Sequence, residues 1–129
     1  MSFNNLLKLA KSVRLNAHTP YSGFKVGAAI RSGKKVFVGA NVENASYGLS
    51  RCAEQSAIQA MVSSGVKSFD EILIYTEADS PATPCGSCRQ ILFEFAPDAE
   101  VILVNHLGSS KNYKVKELLP EGFSFRPEK

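Results

Sequence analysis

Cys52-Ala53-Glu54 and Pro84-Cys85-Gly86-Ser87-Cys88 contain all three cysteines of the chain. Three thiolates make a zinc site with one tetrahedral position left open, and an open position is where water or a substrate binds. An acid two residues after the first thiol could move protons beside that position, while the metal makes water nucleophilic at neutral pH. Blander readings explain less. A C-x-x-C pair can be a thiol-redox motif. Here Pro84 precedes the first thiol, Gly86-Ser87 separates the two, the chain has no Trp, and Cys52 stays unexplained. A structural zinc site needs a fourth protein ligand; His18 and His106 lie far from the thiols in sequence and form no H-x-x-x-H pair. Inert buried cysteines give no reason for Glu54 and Pro84 to stand where they do.

The elements that must position these residues can be read from periodicity. Leu6, Leu7, Ala10, Val13 and Ala17 recur at helical spacing, predicting an amphipathic helix over 3–17 that stops at His18-Thr19-Pro20-Tyr21-Ser22-Gly23. Phe24–Arg31 and Val36–Asn41 read as strands around the hairpin signal Ser32-Gly33-Lys34-Lys35. Asn44–Ser50 is a polar loop, followed by a helix over 51–62 ended by Ser64-Gly65. Ile72–Thr76 and Val101–Val104 are short apolar runs of the buried-strand type. Between them, residues 86–95 read as a helix stopped by Pro97, with Ile91, Leu92 and Phe95 inward. Tyr113-Lys114-Val115 is a weaker edge strand, paired antiparallel with the strand before it because a parallel crossover needs a dozen or more residues.

The resulting α-β-β-α-β-α-β-β order predicts an α/β fold, a three-layer α/β/α sandwich on a mixed five-stranded sheet. Both cysteine motifs then fall at helix N-termini, where free N–H groups and the helix dipole stabilise thiolates. At 129 residues and 44% apolar, the chain is expected to form one domain over 1–129. The net charge of +3 comes with scattered basic residues, Lys34-Lys35 being as long as any run. That reads as a solvated surface and argues against a nucleic-acid groove, so no nucleic-acid partner is expected. The start Met1-Ser2-Phe3-Asn4 has no secretory pattern, no apolar run reaches membrane-spanning length, and three cysteines make a poor disulfide framework. A cytoplasmic protein with no membrane partner is expected.

With these two motifs, extended by Arg89-Gln90, and with Asn41-Val42-Glu43-Asn44-Ala45-Ser46-Tyr47-Gly48, the chain closely resembles the small, homotetrameric type of cytidine deaminase. The resemblance runs from Pro20-Tyr21-Ser22 to Leu118-Leu119-Pro120. The C-x-E and P-C-x-x-C spacing is the established signature of zinc deaminases at large, whereas the N-V-E-N-A-S-Y-G segment points to a free pyrimidine nucleoside. The resemblance implies that Cys52, Cys85 and Cys88 hold one zinc per chain. It implies that Glu54 carries protons to N3 of the base and then to the leaving ammonia. Phe24 would pack on the base, and Asn41 and Glu43 would hydrogen-bond the ribose, the carboxylate taking the 3′-hydroxyl. Ala45 and Tyr47 belong to the same implied substrate-binding set, and Phe123 would cap a neighbouring subunit's site. The implied activity converts cytidine or deoxycytidine to uridine or deoxyuridine with release of ammonia, in pyrimidine salvage, by a homotetramer.

Elementary chemistry agrees with that assignment. Attack at C4 needs a strong nucleophile and a protonated N3, which one placed carboxylate can deliver. A carboxylate such as Glu43 selects sugar hydroxyls through charge-assisted bonds. Each residue also has an ordinary alternative: Phe24 as strand core, Asn41 and Glu43 as turn and surface groups, Phe123 as C-terminal packing, and Glu54 as an acid favoured by the helix start. Gln55 departs from the resemblance, since three-thiolate members commonly carry Arg directly after the Glu. Gln donates hydrogen bonds but no charge, and Arg51 is the nearby cation that could supply it. The nearest alternative activity is deamination of another cytosine nucleoside such as blasticidin S, whose deaminases lack the N-x-E-N segment. From a different class, a non-catalytic zinc-binding or thiol-redox protein stays open.

Overall fold

The computed structural model describes residues 2–125. Along the chain run α1 (Phe3–Arg14), β1 (Gly27–Ser32), β2 (Lys35–Ala40), α2 (Ala53–Ser63), β3 (Glu71–Thr76), α3 (Gly86–Phe95), β4 (Glu100–Asn105), β5 (Ser110–Lys114) and α4 (Val115–Leu118), with a short 3-10 turn at Tyr47–Leu49. The strands form one mixed sheet in the order β2-β1-β3-β4-β5. Only β3 and β4 pair in parallel, with Thr76 opposite Asn105 at their C-terminal ends. The other pairs are antiparallel, β4–β5 included, as expected for so short a connection.

Strand alternation decides which helices cover which face. Ala28, Ile30, Ile72, Ile74, Val101 and Leu103 turn to one side, where they meet Ala53, Ala57, Ile58 and Met61 of α2 and Leu92 of α3. The intervening residues Ala29, Leu73, Tyr75, Ile102 and Val104 turn to the other side and meet Leu6 and Ala10 of α1. Helices thus cover both faces, and the expected three layers are present. Leu6, Ile30, Met61, Ile72, Leu73, Leu92 and Leu103 are fully buried. Each such side chain contributes about 1.5–3 kcal/mol of burial free energy.

Local chemistry sets the boundaries. Ser2 caps α1, its hydroxyl accepting from Asn5 N at 3.2 Å. The helix stops at Arg14 instead of Ala17, because the N–H groups of Leu15, Asn16 and Ala17 bond carbonyls three residues back and tighten the chain out of the helix. The β1–β2 hairpin turns at Gly33-Lys34, with Ser32 paired to Lys35 and Gly33 at φ +60. A glycine at the first central position of a two-residue turn suits the twist of the strands.

Two expectations are corrected. Phe24 lies outside the strand, which starts only at Gly27. The side chain of Asn41 takes the place of a ladder there, accepting from Val26 N at 2.9 Å and donating to Phe24 O at 2.8 Å. Val115 is helical, not strand, and α4 was not anticipated. Glu117 starts that helix by accepting from Lys114 N at 2.6 Å, while Val115 is buried against the core.

One close approach fixes where α2 sits. A Cβ built on Gly39 of β2 would lie 2.3 Å from Ala57 N and 2.6 Å from Ala53 O. Glycine at this position is what allows α2 to lie against the strand. Among the described residues, no helix is long and apolar enough to cross a membrane.

Candidate active site

Cys52 stands at the N-cap of α2 and Cys85 at the N-cap of α3, both with extended backbone, and Cys88 lies in the first turn of α3. Two helix starts on one face of the sheet therefore converge. The three Sγ atoms lie within 4.8 Å of one another, Cys85 and Cys88 at 3.5 Å. Zinc–thiolate bonds of about 2.3 Å in a tetrahedron set sulfur–sulfur edges near 3.8 Å, so the cluster has the dimensions of three zinc ligands. Soft thiolates also suit that metal. Among the described residues no fourth Cys, His, Asp or Glu joins the group, and neither His18 nor His106 is part of it.

The electrostatics follow from placement. A hydrogen bond from Cys88 holds the Cys52 thiol below its ordinary value, and Cys85 and the Arg51 charge add to this. Cys88 is correspondingly pushed up, since it keeps the shared proton and is buried. Glu54, in the first turn of α2, is only 5% exposed. Its burial pushes the carboxyl up to about 7, with the Cys52 charge adding to the effect. A carboxyl poised there suits general acid–base work near neutral pH. Gln55, also buried, donates its amide to Cys88 Sγ at 3.8 Å. Arg51 reaches Gly48 O and Ser50 O at 3.3 and 2.9 Å, and its charge acts on Cys52. At the place of the usual arginine the chain thus has an amide on one thiol and a separate cation near another.

One cavity opens at the thiols, and a second lies at the Tyr21-Ser22 turn and the loop after Asn41. The first, of about 240 Å³, is lined by Phe24, Asn41, Glu54, Thr76, Cys52 and Cys85 among others. The second, of about 420 Å³, is lined by Tyr21, Ser22, Glu43, Tyr47 and Ser50. Asn41 lines one and Glu43, two residues on, the other. The Glu43 carboxylate accepts from Tyr21 N and Ser22 N, both at 3.1 Å, and from the Ser22 hydroxyl. The Ser22 bonds hold it below the usual carboxylate range. Because Asn41 uses its amide on the backbone of Phe24 and Val26, it fixes the Phe24 segment and has one N–H left for a ligand.

Six of the expected substrate-binding positions divide as follows. Phe24, Asn41, Glu43 and Tyr47 line the cavities, while Ala45 is exposed and lines neither. Phe123 also lines neither; it is 67% exposed and stacks on Phe125 with centroids 6.2 Å apart. Its backbone is clamped by Gln90 of α3, which donates to Phe123 O at 3.0 Å and accepts from Phe123 N at 3.2 Å. Arg89, beside it, donates to Pro84 O at 2.8 Å and to Leu118 O at 2.9 Å. Tyr21, Ser22 and Thr76 were not singled out from the sequence. A threonine ending an apolar strand, directly before a loop into a cysteine motif, was the signal available for Thr76.

The family model describing the cytidine and deoxycytidylate deaminase zinc-binding region matches residues 2–105. The cytidine deaminase of Halalkalibacterium halodurans is 42% identical over 121 residues, covering 92% of each chain. A 1.6 Å crystal structure of cytidine deaminase from Burkholderia pseudomallei superposes with a TM-score of 0.92 at 42% identity, over 95% of this chain and all 100% of that one. A blasticidin-S deaminase from Bacillus cereus is 34% identical over 104 residues, 74% of either chain.

Proposed function

The chain belongs to the cytidine and deoxycytidylate deaminase family, and on that premise we propose that it hydrolyses cytidine and deoxycytidine to uridine and deoxyuridine, releasing ammonia. The observation that carries this reading is Glu54, buried beside three clustered thiols at the wall of a cavity that Phe24 also lines. Cys52, Cys85 and Cys88 are the residues that would hold zinc, one ion per chain. Zinc bound there supplies a Lewis acid that makes water nucleophilic at neutral pH.

The chain's own residues do the rest. Glu54, at the wall of the base cavity, protonates N3 and so makes C4 electrophilic. It then takes a proton from the attacking water and passes it to the departing amino group, so that water and cytidine become ammonia and uridine. A carboxyl whose ordinary value is raised toward neutrality can both take and give that proton. Phe24 covers the face of the base. Glu43 accepts from the ribose hydroxyls, already aimed by Tyr21 and Ser22, and the remaining N–H of Asn41 adds a donor. Tyr47 lines the sugar pocket, and Ala45 stands two residues before it on the same loop. Exposed Phe123 completes the site of a neighbouring copy in a homotetramer, acting in pyrimidine salvage in the cytoplasm.

Blasticidin S is a weaker candidate substrate, since Asn41 and Glu43 provide a ribose-binding pair that its deaminases lack. Ammonia release from cytidine and from blasticidin S, with zinc content measured on the same preparation, tests the reading. Glu54→Gln should keep its zinc and lose roughly 10²–10⁴-fold in turnover. Ammonia from blasticidin S alone, or normal turnover by that variant, would overturn it.

A further inference from the structure

Thr76 ends β3 and is 2% exposed. Among the described residues, its Oγ1 is the one buried side-chain nitrogen or oxygen that lacks a hydrogen-bond partner. Its sheet neighbour Asn105 is equally buried and makes the contrast plain. The Asn105 amide donates to Ala78 O and Asp79 O, both at 3.1 Å, and accepts from Leu107 N and Ser109 N. One polar group at this end of the sheet is fully used in holding loops, and the other is used for nothing in the fold.

Buried hydroxyls are nearly always paired, because an unpaired one loses its water without return. Valine has the same shape as threonine and would fill the strand end without that cost. The hydroxyl is therefore free for a partner that the polypeptide does not provide. Its direction narrows the choice. Thr76 alternates with Ile74 and Ile72, which face α2, so its side chain turns toward the helix that carries Glu54. It lines the cavity that Phe24, Asn41 and Glu54 also line.

We propose that Thr76 is a substrate-contacting residue, its hydroxyl giving the pyrimidine ring a hydrogen bond in addition to the one made by Glu54. This rests on the cytidine reading above and deepens it. A cytosine edge presents both donors and acceptors, and one carboxyl serves only part of it. A hydroxyl can donate or accept and so meets either kind of atom. A pyrimidine analogue lacking the matching polar atom would leave Thr76 unpaired and be rejected.

Thr76→Val and Thr76→Ser separate this role from a structural one. In Thr76→Val, kcat/KM for cytidine should fall about tenfold, chiefly through KM, because a contact made equally in ground and transition states acts on binding. Calorimetric affinity for cytidine, measured in a Glu54→Gln background that does not turn it over, should fall by a similar factor. The melting temperature should hold or rise, since no protein partner is lost. Thr76→Ser, which keeps the hydroxyl, should restore most of the affinity. Unchanged KM and affinity in Thr76→Val would overturn the proposal, as would a lowered melting temperature with affinity intact, which marks a packing role. Wild-type protein that releases no ammonia from cytidine would instead sink the functional reading and the inference with it.

Discussion

Adding a single methyl group at Gly39 should disable the site without touching any residue in it. The new Cβ would sit 2.3 Å from Ala57 N and 2.6 Å from Ala53 O, where ordinary contact begins at 3.4 Å. Both obstacles are backbone atoms of α2, so no side chain can swing aside, and the helix must move out by about 1 Å. Cys52 and Glu54 travel with α2, whereas Cys85 and Cys88 stay with α3. Metal–ligand distances tolerate only about 0.2 Å, so three thiols matched to one ion would no longer match. Overpacking costs typically 1–3 kcal/mol, which for a chain of this size lowers Tm by roughly 3–12 °C. Displacing a reacting group by about 1 Å can cost on the order of 10²-fold in rate. Gly39→Ala should therefore weaken zinc, measured by competition with a chromogenic chelator, at least tenfold (about 1.4 kcal/mol) and lower kcat/KM for cytidine about 10²-fold. Wild-type zinc affinity and turnover in a folded Gly39→Ala protein would refute the reasoning. A lowered Tm with both intact would confine the close approach to stability.

Three other outcomes are expected. Glu43→Ala should lower kcat/KM for cytidine by roughly 10-fold or more while leaving free cytosine within about twofold, because only the nucleoside carries the ribose that a charge-assisted bond would hold; equal losses on both would return Glu43 to tying the Tyr21-Ser22 turn. Gln55→Ala should weaken zinc by roughly tenfold, as loss of a hydrogen bond to a ligand commonly does, read by the same chelator competition; unchanged affinity would show that the bond to Cys88 does nothing for the metal. Phe123→Ala should lower activity if the ring completes a neighbouring site, and the protein should sediment as a tetramer; a fully active monomer at high dilution would end that reading.

Much of this was legible in the sequence because it depends on local chemistry. Gly33 announced its hairpin, Pro97 lay just beyond the end of α3, and the two cysteine motifs marked the three thiols that cluster beside Glu54. The antiparallel β4–β5 pair followed from a connection too short for a crossover. What escaped was decided at a distance. Phe24 has strand propensity, yet the Asn41 amide occupies its backbone and keeps it in a loop beside the cavity. Val115 has it too, but the Glu117 carboxylate on Lys114 N starts a helix there. Nothing near Thr76 in sequence shows that its hydroxyl is unpartnered, nor near Glu43 that Tyr21 and Ser22 hold it. Such facts exist only once strand ends and loops share one space.

Cys88, Arg89 and Gln90 are consecutive on one helical turn, and each holds something different: a place in the thiol cluster, the Leu118 carbonyl and the Phe123 backbone. The C-terminal segment is therefore braced against the very helix that presents two thiols. Restraining the tail would then narrow the positions open to the Cys88 sulfur, and a metal on that sulfur would narrow those open to the tail. Such coupling is reciprocal: the factor by which one event favours the other is the same in both directions. If an assembly borrowed Phe123 across a subunit boundary, metal binding and association would be linked equilibria. Dilution would then loosen the ion, and chelation would loosen the oligomer.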